Sequence, residues 1–211
     1  MNKQTPSKSG LSASDIELLT KAAQAGNPEA QHQLGMCFAN GDGVELDYSK
    51  AFDWVEKAAN QQHQQALRTL AWLYANGFGT DQSDEKAQAL IIQLAEAGDA
   101  KDQYFLASLY QSGIYGMQAD SEKMIYWYHQ AAQQHYARAQ YALAKIILKG
   151  VDLKPNDEMA FQWLSLANIN GHEKAGEELK KLMQKLPADI IESYQQRMRA
   201  SIEAAIGETK Q

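Results

Sequence analysis

Apolar residues fall into short stripes that step by three or four along the chain, and the stripes themselves recur. Ala30, Leu34 and Phe38 stand one turn apart with Cys37 beside them. That spacing predicts one buried face of a helix. Ala51, Trp54, Val55 and Ala58 form a second stripe of the same kind. Between them lies Asn40-Gly41-Asp42-Gly43, a helix stop whose glycines suit left-handed backbone angles. Moving eleven marker positions of this unit forward by 36 residues reaches Ala66, Leu70, Tyr74, Gly77, Gly79, Lys86, Ala87 and Leu90 among others. Seven of the eleven are identical, so the pattern is an internal repeat and each unit a helical hairpin.

A third copy runs through Leu106, Ala107, Tyr110 and Gly113, gains one residue in its turn, and resumes at Lys123, Trp127, Ala131 and Ala132. A fourth carries Ala139, Leu143, Ala144, Ile147, Gly150, Ala160, Trp163 and Ala167. Leu18, Lys21, Ala22 and Ala23 make a half-repeat before the first copy, and Ala175 and Leu179 begin a fifth. Helices are predicted over about 15–25, 28–40, 48–61, 64–76, 83–97, 100–112, 120–134, 137–149, 156–170, 173–186 and 188–206. Gly98 and Gly171 end second helices at the position of left-handed backbone, with Gln62 and His135 as weaker stand-ins. Trp54, Trp127, Trp163, Phe38, Tyr74 and Tyr110 sit on repeat positions and are expected in the core. A lone hairpin cannot bury both faces, so stability must come from stacking of neighbours.

Three parts follow. Residues 1–14 show no periodicity and read as a disordered tail. Residues 15–186 form the repeat array. Residues 187–211 form a capping helix and tail, opened by Pro187. Ile190, Ile191, Tyr194, Met198, Ile202 and Ile206 lie on one stripe of that helix.

The string Ala30-x-x-x-Leu34-Gly35-x-x-Phe38-x-x-Gly41-x-Gly43-Val44-x-x-Asp47-x-x-Lys50-Ala51-x-x-Trp54-x-x-Lys57-Ala58-Ala59 closely resembles the Sel-one-like repeat (SLR), a relative of the tetratricopeptide repeat. The likeness covers roughly residues 15 to 186. Copy three departs at Asp102 and in the lengthened turn Gly113-Ile-Tyr-Gly116, and copy four replaces Gly-x-Gly with Gly150-Val-Asp-Leu-Lys-Pro. The resemblance implies an all-α fold, a right-handed α/α superhelical solenoid, that binds other proteins. Members of the family act as adaptors and scaffolds in bacterial signalling, envelope and host-interaction systems. Some secreted members carry a disulfide in every repeat and are linked to β-lactam binding. This chain, with Cys37 as its one cysteine, lacks that framework.

Composition narrows the chemistry. Twenty basic and 26 acidic residues give a net charge of −6, which argues against general nucleic-acid affinity. No apolar run approaches the ~20 residues of a membrane span, and the first residues lack a secretory h-region. A cytoplasmic location is therefore expected. One cysteine excludes an intramolecular disulfide and the cysteine-rich zinc sites. Cys37 shares its repeat position with Leu73, Leu109 and Ile146, so it reads as packing and not as a nucleophile. The five histidines show no metal-ligand spacing. Asn40-Gly-Asp42-Gly43 fails as a calcium loop because Val44 stands where a third oxygen ligand belongs. No cofactor, metal or catalytic residue is expected.

The exposed positions carry more information. In a tetratricopeptide-like stack, positions two, five, nine and thirteen of each first helix point into the concave groove. Copies two to four place Arg68, Trp72, Asn76, Lys101, Tyr104, Arg138, Tyr141 and Lys145 there. Across all copies this face is net positive in a net negative chain. Arg and Lys offer donors to carboxylates. Trp and Tyr supply rigid contact area. The expected function is a non-enzymatic interaction module, an adaptor or scaffold, holding a protein or peptide that is acidic or carboxylate-terminated. Alternatives are an immunity or inhibitor protein that blocks a toxin, and a hydrolase related to the β-lactam-binding repeat proteins.

Overall fold

The computed structural model describes residues 11–150 and 155–208, with side chains up to Ala200. Eleven helices and no strand are found among the described residues. They are α1 (Ala13–Gln24), α2 (Pro28–Asn40), α3 (Tyr48–Asn60), α4 (Gln64–Asn76), α5 (Asp84–Glu96), α6 (Ala100–Ser112), α7 (Ser121–Gln133), α8 (Ala137–Lys149), α9 (Asp157–Ile169), α10 (Ala175–Met183) and α11 (Ala188–Glu208). The ends agree with the periodicity to within one or two residues, except at α10, which is shorter, and α11, which runs further. Helix α1 begins early because Ser12 and Asp15 form a reciprocal capping box. The predicted disordered tail over residues 1–10, residues 151–154, and the side chains of Ile202 and Ile206 lie outside the described residues.

Each first helix ends the same way. Gly41, Gly77, Gly113 and Gly150 take left-handed backbone at the helix C-terminus. Each second helix then starts on a side-chain cap, from Asp47, Ser83, Asp120 and Asn156. A backbone hydrogen bond spans the turn from Asp47 N–H to the Phe38 carbonyl, from Ser83 to Tyr74 and from Asp120 to Tyr110. Gln62 and His135 do adopt positive φ, both 61°, where Gly98 and Gly171 stand in other copies.

The chain divides into two compact units. One runs up to Ala97 and includes Ile114–Met117; the other takes Gly98–Gly113 and the chain from Gln118 onward. The first unit packs Val55, Ala58, Ala66, Leu70, Leu73, Ala87 and Leu94 around a shared core, with Tyr115 against it. Leu34 with Ala23 and Ala30 anchors its N-terminal end. In the second unit, Ala107, Tyr128, Ala131, Leu143 and Ile146 form one cluster and Ala144, Phe161, Leu164 and Leu182 another. Helix α11 rests on α9, where Tyr194 meets Phe161 and Arg197 pairs with Glu158 at 3.1 Å.

The tryptophans of the repeat depart from expectation. Trp54, Trp127 and Trp163 are only half-buried. The residue after each of them, Val55, Tyr128 and Leu164, is buried instead, as is Ile91 in copy two. The buried stripe of α3 is Ala51, Val55, Ala58 and Ala59. Trp54 flanks that stripe, packs beside Leu34, and carries the Lys57 ammonium over its ring at 4.1 Å.

A polar ladder joins successive helices. Gln31 is buried on α2, donates to the Ala23 carbonyl at the end of α1, and accepts from Gln61 at the end of α3. Gln140 repeats this on α8, donating to the Ala132 carbonyl and accepting from Asn170. Gln103 accepts from Gln134 in the same way. Copy two has Leu67 and Ala97 at the two corresponding positions, so the apolar change occurs on both sides together. A buried amide is stable only when its donors and acceptor are met, which the paired change respects.

Candidate functional site

The expected groove residues are distributed over both units. In the first unit, Arg68 and Trp72 line a small cleft with Met36, Asn40, Tyr48 and Thr69. Trp72 is 43% exposed and leans on Phe78, whose ring also stacks on Tyr48. Asn76 lies outside that cleft, and its side-chain amide donates to the Trp72 carbonyl within its own helix at 2.8 Å. One donor of its amide is thus engaged within α4. Lys101 is exposed on α6 of the second unit and lines no cleft described here.

The second unit brings the other four together. Tyr104, Arg138, Tyr141 and Lys145 line one cleft of about 990 Å³. Helix α6 supplies Tyr104, α8 supplies Arg138, Tyr141 and Lys145, and the turn before α10 adds His172, Glu173 and Lys174. Tyr128 and Tyr136, not singled out from sequence, complete the wall together with His135 and Lys149. Tyr136 is the N-cap residue of α8, and Tyr128 lies on the buried stripe of α7. The repeat register of Tyr128, one place after Trp127, was the signal available for it.

The tyrosines form a continuous aromatic lining. Tyr104 lies 5.4 Å from Tyr128 and 5.3 Å from Tyr136 between ring centroids. The Tyr128 hydroxyl donates to Gln111 at 3.0 Å. Burial, with the neighbouring Tyr104 in support, pushes its pKa up to about 12, so it remains a neutral donor. Tyr141 stacks on His172 at 4.1 Å with ring planes 14° apart. Burial lowers the His172 pKa, and the Arg138 and Lys174 charges add to that, so the ring favours its neutral form.

The cations of the cleft differ in availability. Lys145 differs from the expected free donor: its ammonium is held by Glu178 of α10 at 2.7 Å. The same carboxylate takes Lys181 at 2.9 Å. The two lysine hydrogen bonds, Lys145 first, hold the Glu178 pKa down to about 2. Arg138, Lys149 and Lys174 enter no ion pair among the described residues. Arginine presents a planar fork that matches a carboxylate bidentately.

No cluster of three or more potential metal ligands occurs among the described residues. His32 and His63 approach each other at 5.3 Å, but His32 bonds Thr69 and His63 bonds Glu29. Cys37 is 6% exposed, and burial, aided by Asp42, raises its thiol pKa. That is opposite to the activation a nucleophile needs. Cys37→Ala is therefore expected to keep partner binding, and iodoacetamide is expected to label the native thiol slowly. Rapid native labelling with loss of binding would contradict the packing role.

Helical hairpins of constant length, glycine-closed turns and stacked cores define an α/α repeat protein. The Sel1 repeat model matches residues 16–27, 28–63, 64–99, 100–136 and 137–172, and the chain belongs to the Sel1 repeat family. It is similar to a Sel1 repeat protein from Oxalobacter formigenes, at 28% identity and a TM-score of 0.69, over 89% of this chain and 79% of that one. A protective antigen present in uropathogenic Escherichia coli strains, displaying an SLR fold, matches at 26% identity and a TM-score of 0.67, over 89% of this chain and 41% of that one. Chitin synthase regulatory factor 3 of Schizosaccharomyces pombe is 35% identical over 80 residues, 37% of this chain. The match spans only 9% of that relative's length. Sel1 repeats serve as protein-interaction modules and are generally not catalytic. No described helix is long and apolar enough to cross a membrane.

Proposed function

We propose that the chain is a non-enzymatic adaptor or scaffold that holds an acidic segment of a partner protein in the tyrosine-lined cleft of its second unit. The observation that carries this reading is the placement of Arg138, Lys149 and Lys174, outside any ion pair described, around a wall of tyrosines in ring contact. The chain as a whole is at −6, whereas this cleft is lined by four cations, Arg138, Lys145, Lys149 and Lys174, against two acids, Asp120 and Glu173, so its positive balance is a local feature. Tyr104 and Tyr141 supply apolar area at low entropic cost, and Arg138 fixes the acidic group by paired hydrogen bonds. Trp72, supported by Phe78, offers an apolar anchor point in the first unit.

Binding of fluorescein-labelled hexaglutamate, followed by anisotropy, tests the reading. Arg138→Glu is expected to weaken binding by at least ten-fold with an unchanged circular dichroism spectrum and melting temperature. The parent affinity is expected to fall as salt is added, because exposed charges are screened over about 8–10 Å. Full affinity in the Arg138→Glu protein, or equal binding of labelled hexaglutamine, would remove the cleft from consideration.

A further inference from the structure

Lys145 and Glu178 stand in successive repeat copies, and their pairing has a consequence for recognition that rests on the acidic-segment reading above. The Lys145 side chain is still 35% exposed and lines the cleft, so its ammonium sits at the wall and not in the core. Glu178 is the more enclosed partner, with its side chain 20% exposed. Its two oxygens are divided between Lys145 and Lys181. On α10, Gly176 occupies the position held by Gln31, Gln103 and Gln140 in other copies. A Cβ on Gly176 would stand 2.7 Å from the Asn168 side-chain oxygen. The fifth copy therefore lacks the ladder amide, and its first helix carries the carboxylate that holds a cleft cation.

We propose that Glu178 is a built-in competitor for the partner's acidic groups, which masks Lys145 and confines acid recognition to Arg138, Lys149 and Lys174. The carboxylate does to Lys145 what a partner Asp or Glu side chain would do, at the same distance and with the same charge. An incoming acidic group near Lys145 meets an ammonium already held by a carboxylate. The cleft thus discriminates by position. It favours a segment whose acidic group lies over Arg138, and it gains little from one placed over Lys145 alone. Masking one cation beside others that stay open sets register more than it adds affinity.

The test uses the full chain, fluorescein-labelled hexaglutamate as the probe and labelled hexaglutamine as the neutral control. Glu178→Gln keeps the side-chain shape and removes the charge. It is expected to tighten hexaglutamate binding by about five-fold, the upper end for one partly exposed charge pair. Hexaglutamine binding is expected not to change. Adding Lys145→Gln to the Glu178→Gln protein is expected to erase the gain, because the unmasked ammonium is its source. Glu178→Ala, which removes the carboxylate outright, is expected to give the same gain and guards against a folding artefact of the glutamine. If the parent binds hexaglutamate and loses it in Arg138→Glu, yet Glu178→Gln and Glu178→Ala leave it unchanged, the competitor role is wrong and the cleft reading stands. A gain that survives Lys145→Gln also overturns it. If neither the parent nor the Glu178 variants bind hexaglutamate, both readings fall.

Discussion

Gly79→Ala is expected to cost about 3 kcal/mol or more of stability, combining left-handed strain with overpacking. Gly79 closes the turn between α4 and α5 with φ of 71°. A Cβ there would overlap the backbone carbonyl of Tyr48 and come within 3.0 Å of the Phe52 Cβ. Both belong to α3, the preceding second helix, so the methyl would wedge one hairpin from the next. The obstacle is backbone and the base of a side chain, which cannot swing away as a lysine tip would. Gly26 provides the control. Its φ is 93°, but a Cβ there meets nothing within 4 Å. Gly26→Ala is expected to lose only the conformational part, about 1–2 kcal/mol. Urea denaturation followed by far-ultraviolet circular dichroism measures both. Equal losses would mean that left-handed backbone alone governs these glycines and that the contact with α3 does not matter.

Much of the scaffold was legible in residue spacing, because a repeat states its own register several times. The Gly-x-Gly turns, the capping residues and the helix lengths all follow from local chemistry reiterated at one period. Even Gln62 and His135 at positive φ were readable, since Gly98 and Gly171 mark the same position in other copies. The tryptophans misled for a related reason. Their identity recurs at Trp54, Trp127 and Trp163, whereas the buried position beside them varies as Val55, Ile91, Tyr128 and Leu164. Recurrence of one large residue marks a constant neighbour, here the edge of the stripe, and burial depends on where the stripe's centre falls. Variable apolar residues betray that centre through their shared hydrophobicity alone.

The candidate site was legible in part. Trp72, Lys101 and Arg138 are exposed on their first helices, as the repeat spacing implies. Spacing within one helix said nothing of which outward groups already had partners. Asn76 donates to its own helix four residues back. Lys145 is satisfied by Glu178, 33 residues away in the next copy. The first of these was open to prediction from the tendency of asparagine to bond nearby backbone. The second needed the relative placement of neighbouring first helices, which no periodicity records.

The glutamine ladder leaves a second strong expectation. Gln140 is 1% exposed, and its amide bridges the Ala132 carbonyl at 3.0 Å and Asn170 at 2.9 Å. Gln140→Ala removes both bonds and opens a cavity between α7, α8 and α9, at an expected cost of about 2–3 kcal/mol. The Ala132 carbonyl retains the His135 backbone N–H at 3.1 Å, so it is not left without a donor. That retained bond is what makes an apolar substitute tolerable. The double change Gln140→Leu with Asn170→Ala writes the Leu67 and Ala97 pair of copy two into copy four. It fills the space and removes both polar partners at once, the case in which loss of a buried hydrogen bond is nearly neutral. Its cost is expected to stay below about 1 kcal/mol, clearly less than the single alanine change. Urea midpoints of the three proteins decide the matter. A double variant as unstable as Gln140→Ala would show that the amide bridge itself, and not filled volume with matched polarity, holds α8 to its neighbours.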